Sequence, residues 1–205
     1  MQVFDLNKNI PTNNSCCIWI DTNILLWFFY YPTVTININK PKHYQMSIYP
    51  KILASLINEN YRIFTTVYNV SEVISVIEKI EYDNYLAKDT TKKKGSYNFK
   101  RFKRDNIDDL HNKIKGVLFQ IKSLIIIDNS GFNFADFRKY LSIYADTKMN
   151  FFDYILSRMA DDNCDCLITD DYDFLDTKYQ FNVYTANNKF IQEAAKNNLL
   201  YVPST

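Results

Sequence analysis

Glycine is scarce in this chain of 205 residues: only Gly95, Gly116 and Gly131 occur, far apart from one another. That scarcity excludes a P-loop, a dinucleotide fingerprint and a G-x-S-x-G nucleophile elbow, each of which needs closely spaced glycines where backbone meets phosphate or turns sharply. Histidine is as sparse, and His43 and His111 cannot form an H-E-x-x-H pair. No stretch approaches the roughly 20 apolar residues that span a bilayer. Met1 to Asn14 lacks the basic and apolar regions of a secretory leader, so a cytoplasmic protein with no membrane contact is expected. Net charge is nearly absent at +1, so affinity for nucleic acid has to come from a local patch rather than a global field. The four cysteines, Cys16, Cys17, Cys164 and Cys166, have C-C and C-x-C spacing, which suits a tetrahedral zinc site poorly. In a reducing compartment they read as thiols, with a metal site or disulfide as the alternative.

What is present is an ordinary globular composition, 47% hydrophobic and 23% charged, at a length that fits a single domain over 1–205. Short apolar runs predict strands over 15–20, 61–67, 124–127, 166–169 and 181–185. Helical spacing predicts helices from Thr22 through Phe29, over 47–60, from Asn69 or Ser71 onward, and over 107–121, 134–144, 150–160 and 188–197. This alternation predicts an α/β protein, a three-layer α/β/α sandwich around a central, mainly parallel sheet. Residues 88–106 break the pattern and read as a helical and basic insertion. There Lys92, Lys93, Lys94, Lys100, Arg101, Lys103 and Arg104 interleave with Tyr97, Phe99 and Phe102, a composition that could bind RNA through phosphates and stacked bases or be a solvated loop.

Acidic residues stand where the apolar runs stop. Asp21 follows Ile20; Asp171 and Asp173 follow Ile168; Glu72 falls at a helix start after the second predicted strand; Asp153 falls near the start of the helix over 150–160. In an open parallel sheet the carboxyl ends of strands are where ligand sites form. Several carboxylates on one such edge would repel one another and raise each other's pKa unless a cation joined them. Hard divalent ions such as Mg²⁺ or Mn²⁺ take oxygen ligands of this kind. Each acid has a plainer alternative as a helix cap or first-turn carboxylate. Asp170 should point away from Asp171 by strand alternation and is expected to be solvated.

These residues resemble the PIN-domain nucleases, a family that includes the VapC-like toxin ribonucleases. The resemblance runs over about residues 15 to 190 and rests on Asp21-Thr22-Asn23, on Glu72, on Asp153 and on Thr169-x-Asp171-x-Asp173-Phe174. It implies that Asp21, Glu72, Asp153 and Asp171 are catalytic metal ligands, with Asp173 a further acid near the ion. It also implies that Asn23 and Thr169 position ligands or water, and that the first and fourth predicted strands lie side by side with the cysteines gathered at their other end. The implied activity is Mg²⁺- or Mn²⁺-dependent endoribonuclease cleavage of RNA, with a toxin role, an antitoxin partner and a homodimer as further implications. The alternative is a catalytically silent PIN-like module that binds RNA or a protein. A HAD-like phosphatase would need a second acid where Asn23 stands.

Overall fold

Along each strand the pleat sends alternate side chains to opposite faces, and here both faces are covered. In β2 (Ile18–Ile20), Ile18 and Ile20 enter one core with Ile63, Cys166 and Ile168. Trp19 enters a second core with Phe64, Leu167 and Val183. The computed structural model describes residues 1–11, 17–34, 40–88, 91, 94–129, 144, 149–162 and 166–202. The predicted helix over 134–144 falls almost wholly outside these residues, as do Cys16, Cys164, Lys92 and Lys93.

The sheet has six strands: β1 (Gln2–Asp5), β2, β3 (Ile63–Thr66), β4 (Ile126–Asp128), β5 (Cys166–Ile168) and β6 (Asn182–Thr185). Their order is β1-β6-β5-β2-β3-β4 and every pairing is parallel. The protein is thus α/β, a three-layer sandwich, as its alternation predicts. β1 has no counterpart among the predicted strands. Its four residues are too few to show a period, and its place beside β6 is held by long-range bonds, including Leu6 N–H to the Thr185 carbonyl at 2.9 Å.

On one face lie α1 (Thr22–Leu25), which continues through a π-helical turn over Leu26–Tyr30, then α2 (His43–Asn58), α3 (Val67–Ala87), α4 (Ser96–Asp105) and α5 (Ile107–Leu124). On the other lie α6 (Phe151–Asp162) and α7 (Asn188–Lys196). Buried Leu110, Ile114, Val117 and Ile121 recur at helical spacing on α5, and Val73, Ile77 and Ile80 on α3. With glycine scarce, asparagine closes two helices: Asn60 (φ 59°) after α2 and Asn198 (φ 58°) after α7. Each takes the left-handed conformation that a C-terminal cap requires and that Asn tolerates better than other non-glycine residues.

Two expectations change. The basic segment is not a break in the fold, because α4 docks on α3 with Phe102 buried against Tyr82 and Tyr85. In addition, α3 begins at Val67, with Thr66 as its N-cap accepting from Asn69 N–H at 3.1 Å, so Glu72 stands in the second turn rather than the first. A threonine ending a strand can cap the next helix with no intervening loop, and the boundary then leaves no break in the sequence.

Candidate functional site

The strand order reverses at β2. From it the chain winds outward through β3 to β4, then crosses back to lay β5 on its other side and winds out through β6. The crevice at the carboxyl ends of β2 and β5 is therefore the topological switch point, where α/β sheets bind ligands. Asp21 and Asp171 leave the sheet there, with Asp21 N–H bonded to the Ile168 carbonyl at 3.3 Å.

Thr169, fully buried, ties the two acids together. Its hydroxyl donates to Asp21 Oδ2 at 3.0 Å and accepts from Asp171 N–H at 2.9 Å. Asp21 Oδ1 accepts from Thr22 N–H at 2.6 Å and caps α1. Asp171 caps the 3-10 turn Tyr172–Asp176 by accepting from Asp173 N–H at 2.9 Å. Both plainer capping roles are thus real, and each uses one carboxylate oxygen.

Glu72 is joined to this pair through neutral groups. Thr22 Oγ1 donates to Glu72 Oε2 at 2.6 Å and accepts from Asn69 Nδ2 at 3.0 Å. Asn69 Nδ2 also reaches Asp21 Oδ1 at 3.5 Å. Asp153 sits in the first turn of α6, where Asn150 Oδ1 accepts from Phe152 N–H and Asp153 N–H while Asn150 Nδ2 donates to Asp153 Oδ2.

Asp21 is 2% exposed and Asp153 3% exposed. Burial pushes the Asp21 carboxyl up to about 7, helped by the charges of Asp171 and Glu72 and opposed by the hydrogen bonds from Thr22 and Thr169. Burial pushes Asp153 up to about 8, with Asp21, Asp171, Glu72 and Asp173 all adding to the rise. Among the described residues, no cationic side chain is one of these main influences. Exposed Asp173 is raised by its own partial burial and by Asp171 and Asp176, and lowered by Lys189.

The structure thus brings Asp21, Glu72, Asp153 and Asp171 into one another's field, with Thr169 between two of them and Asp173 at the rim. Asn23 is half-buried on α1 and makes no side-chain hydrogen bond among the described residues. The donor set, all carboxylate oxygen beside amide and hydroxyl groups, suits a hard divalent cation. As the side chains stand, hydrogen-bonded to neutral neighbours, no three acids among the described residues are grouped to hold an ion.

Asp170 departs from expectation. It does point away from Asp171, yet it is buried rather than solvated, 8% exposed. It accepts from Tyr49 OH at 2.7 Å, Gln45 Nε2 at 2.7 Å and Tyr44 OH at 3.0 Å, all from α2. Burial and the Asp170 charge raise both tyrosines, Tyr44 to about 12, so their hydroxyls remain donors. The pleat alone assigns a direction, and whether that direction meets water depends on α2 covering it.

The basic residues lie elsewhere. Lys94 pairs with Asp83 at 2.9 Å, Lys103 with Glu78 at 2.6 Å, and Arg101 and Arg104 with Asp105, while Lys100 is exposed. Glu78 is six residues along α3 from Glu72, about 9 Å at ~1.5 Å per residue. Residues missed from sequence are Thr22, Asn69 and Asn150, polar groups that hold the acids. Thr66-x-x-Asn69 at a strand-to-helix junction, a pattern like a capping box, is the signal that points to one of them. At the other end, α1 and α3 being distant in sequence, nothing local marks Thr22. The described cysteines meet at the amino end of the sheet, where Cys166 N–H donates to the Cys17 carbonyl at 3.2 Å.

No family model matches this chain, and no curated protein matches it. No helix among the described residues is long and apolar enough to cross a membrane.

Proposed function

We propose that this chain is a PIN-like, metal-dependent endoribonuclease that hydrolyses RNA phosphodiester bonds at the carboxyl edge of β2 and β5. One observation carries the reading: two buried carboxylates, Asp21 and Asp153, stand in the field of Asp171 and Glu72, with no cationic side chain of the described residues among the main influences on either. Keeping like charges together in a low-dielectric crevice costs stability, and a bound cation offsets that cost. Asp21, Glu72, Asp153 and Asp171 would hold Mg²⁺ or Mn²⁺, with Asp173 beside it. Such an ion supplies charge neutralisation at a phosphate and activation of a water for in-line attack.

The neutral residues then have definite work. Thr169 orients Asp21 and Asp171 together, and Thr22 with Asn69 fixes Glu72 and the second oxygen of Asp21. Groups that hold metal-binding carboxylates in this way typically tune affinity by about 10–100-fold. RNA is the proposed substrate. A toxin role, with an antitoxin and a second copy as partners and the cytoplasm as compartment, is the biological setting that accompanies the reading.

The test is cleavage of RNA by purified protein with Mn²⁺, compared with Asp21→Asn and Asp171→Asn. Absence of cleavage in the wild type, with both variants indistinguishable from it, would sink the enzymatic reading. A second reading, a silent PIN-like module binding RNA or protein, draws on the lack of a three-acid group among the described side chains. Calorimetric titration with Mn²⁺ separates the two, since a heat of binding lost in Asp21→Asn favours the enzyme.

A further inference from the structure

Beside the acids lies an apolar surface that a cation site does not require. Val67 is 40% exposed and Phe152 39% exposed. The Phe152 ring stacks on half-buried Tyr68 with centroids 5.6 Å apart and planes 20° from parallel. Tyr68 is one helical turn before Glu72 on α3, and Phe152 immediately precedes Asp153 on α6. Scattered exposed apolar residues are ordinary on any surface. Here, however, the two rings pack together from different helices, each on the same helix as a site acid and within a turn of it. The Phe152 backbone is also fixed, its N–H held by Asn150 Oδ1 at 2.9 Å.

The sheet order places a second aromatic group at the other end of this row. Lys189, at the start of α7 after β6, lies over the Tyr172 ring at 4.2 Å, and Tyr172 follows Asp171. Along the carboxyl edge, β6, β5, β2 and β3 are neighbours in that order. The row therefore reads Lys189 with Tyr172, then Asp171, then Asp21, then the start of α3 with Tyr68 and Phe152.

We propose that the stacked Tyr68–Phe152 pair is a base-binding subsite, which takes one unpaired nucleobase on the outer face of Phe152 while the neighbouring phosphate reaches the acids. The occupant is flat and uncharged where it meets the rings, as a base is, and anionic only where a cation would meet it. Stacking of this kind tolerates any base and needs a single strand, because a paired base has no free face. The location of the phosphate rests on the nuclease reading; the stacking contact does not.

The experiment measures binding of a labelled single-stranded RNA by fluorescence anisotropy, with Mn²⁺ present and cleavage followed in parallel on gels. The same sequence as DNA, as a duplex and with an abasic position are the comparison strands. Phe152→Ala and Phe152→Leu are expected to weaken RNA and DNA single strands alike by about tenfold, and Phe152→Trp to restore binding. Leucine keeps an apolar side chain at the helix surface, so its loss of binding is not a loss of folding, as thermal unfolding will show. The abasic strand and the duplex should be insensitive to all three changes. Unchanged single-strand affinity in both the Ala and Leu variants overturns the subsite, as does an equal loss for duplex, a loss confined to RNA, or a wild type that binds no strand. Cleavage with affinity independent of Phe152 leaves the nuclease reading standing and removes the subsite. Binding that depends on Phe152 without cleavage does the reverse.

Discussion

The acids at the ends of β2 and β5 and the bases of α4 are both dense in charge, yet their neighbours differ. On α4 and its surroundings opposite charges meet: Lys103 with Glu78, Lys94 with Asp83, Arg104 with Asp105. At the sheet edge like charges meet, in a buried setting, and among the described residues the hydrogen bonds that soften the contact come from neutral hydroxyl, amide and backbone donors. Packing and pairing account for the first arrangement. The second costs stability, and it is the arrangement on which the proposed function rests. Charge density by itself does not mark a candidate site; like charges brought together at a topological switch point do.

The largest effect that could break this contrast is catalytic. Asp21→Asn or Asp171→Asn is expected to lower RNA cleavage by more than the about 10–100-fold typical of losing an outer partner of a metal ligand, while the protein stays folded in thermal unfolding. Loss of folding with retained specific activity in the soluble fraction would reverse the assignment. Next comes the packing of the basic helix. Phe102→Ala should cost about 3–5 kcal/mol in denaturant unfolding, and a negligible cost would show that α4 is only loosely attached.

Smaller is the pH response of the acids. The folded-state values of Asp21 and Asp153 lie above the ordinary carboxylate value, so between about 4 and 8 the folded protein binds more protons than the unfolded chain. Stability then falls as pH rises through that window. In metal-free protein, Tm should be lower at pH 8 than at pH 5, and Mn²⁺ should flatten the difference. Asp153→Asn should raise Tm at pH 8 by about 2–4 °C for each kcal/mol of relieved repulsion. A Tm that rises across this range with chelator present would contradict the raised carboxyls of Asp21 and Asp153. Smallest is Lys103→Ala, expected to change stability by no more than about 1 kcal/mol, as partly exposed ion pairs do. A clear drop in RNA affinity from that change, or from Lys100→Ala, would sharpen the contrast in another way by giving α4 a role in binding.

Much of the molecule was legible in short stretches of sequence. The runs at 18–20, 63–66 and 166–168 and the helical spacing of Val73, Ile77 and Ile80 reflect local periodicity, which nearest neighbours along the chain dictate. Asp21 and Asp171 could be read as strand-end acids for the same reason. The failures have two causes. The start of α3 at Val67 was hidden because a strand-end threonine caps the helix with no intervening loop, whereas β1, the docking of α4 and the burial of Asp170 each depend on a contact with something more distant in sequence.

Asp170 and Asp171 state the division most plainly. The sequence by itself determined that two adjacent carboxylates end a strand and point to opposite faces, because the pleat has a period of two. Only the tertiary structure decided that one face is roofed by Tyr44, Gln45 and Tyr49 and becomes an anchor, while the other opens on Asp21 and Asp153. That outcome turns on which strand crosses back beside β2 and which helix covers it, and such long-range pairings leave no periodic trace in the chain.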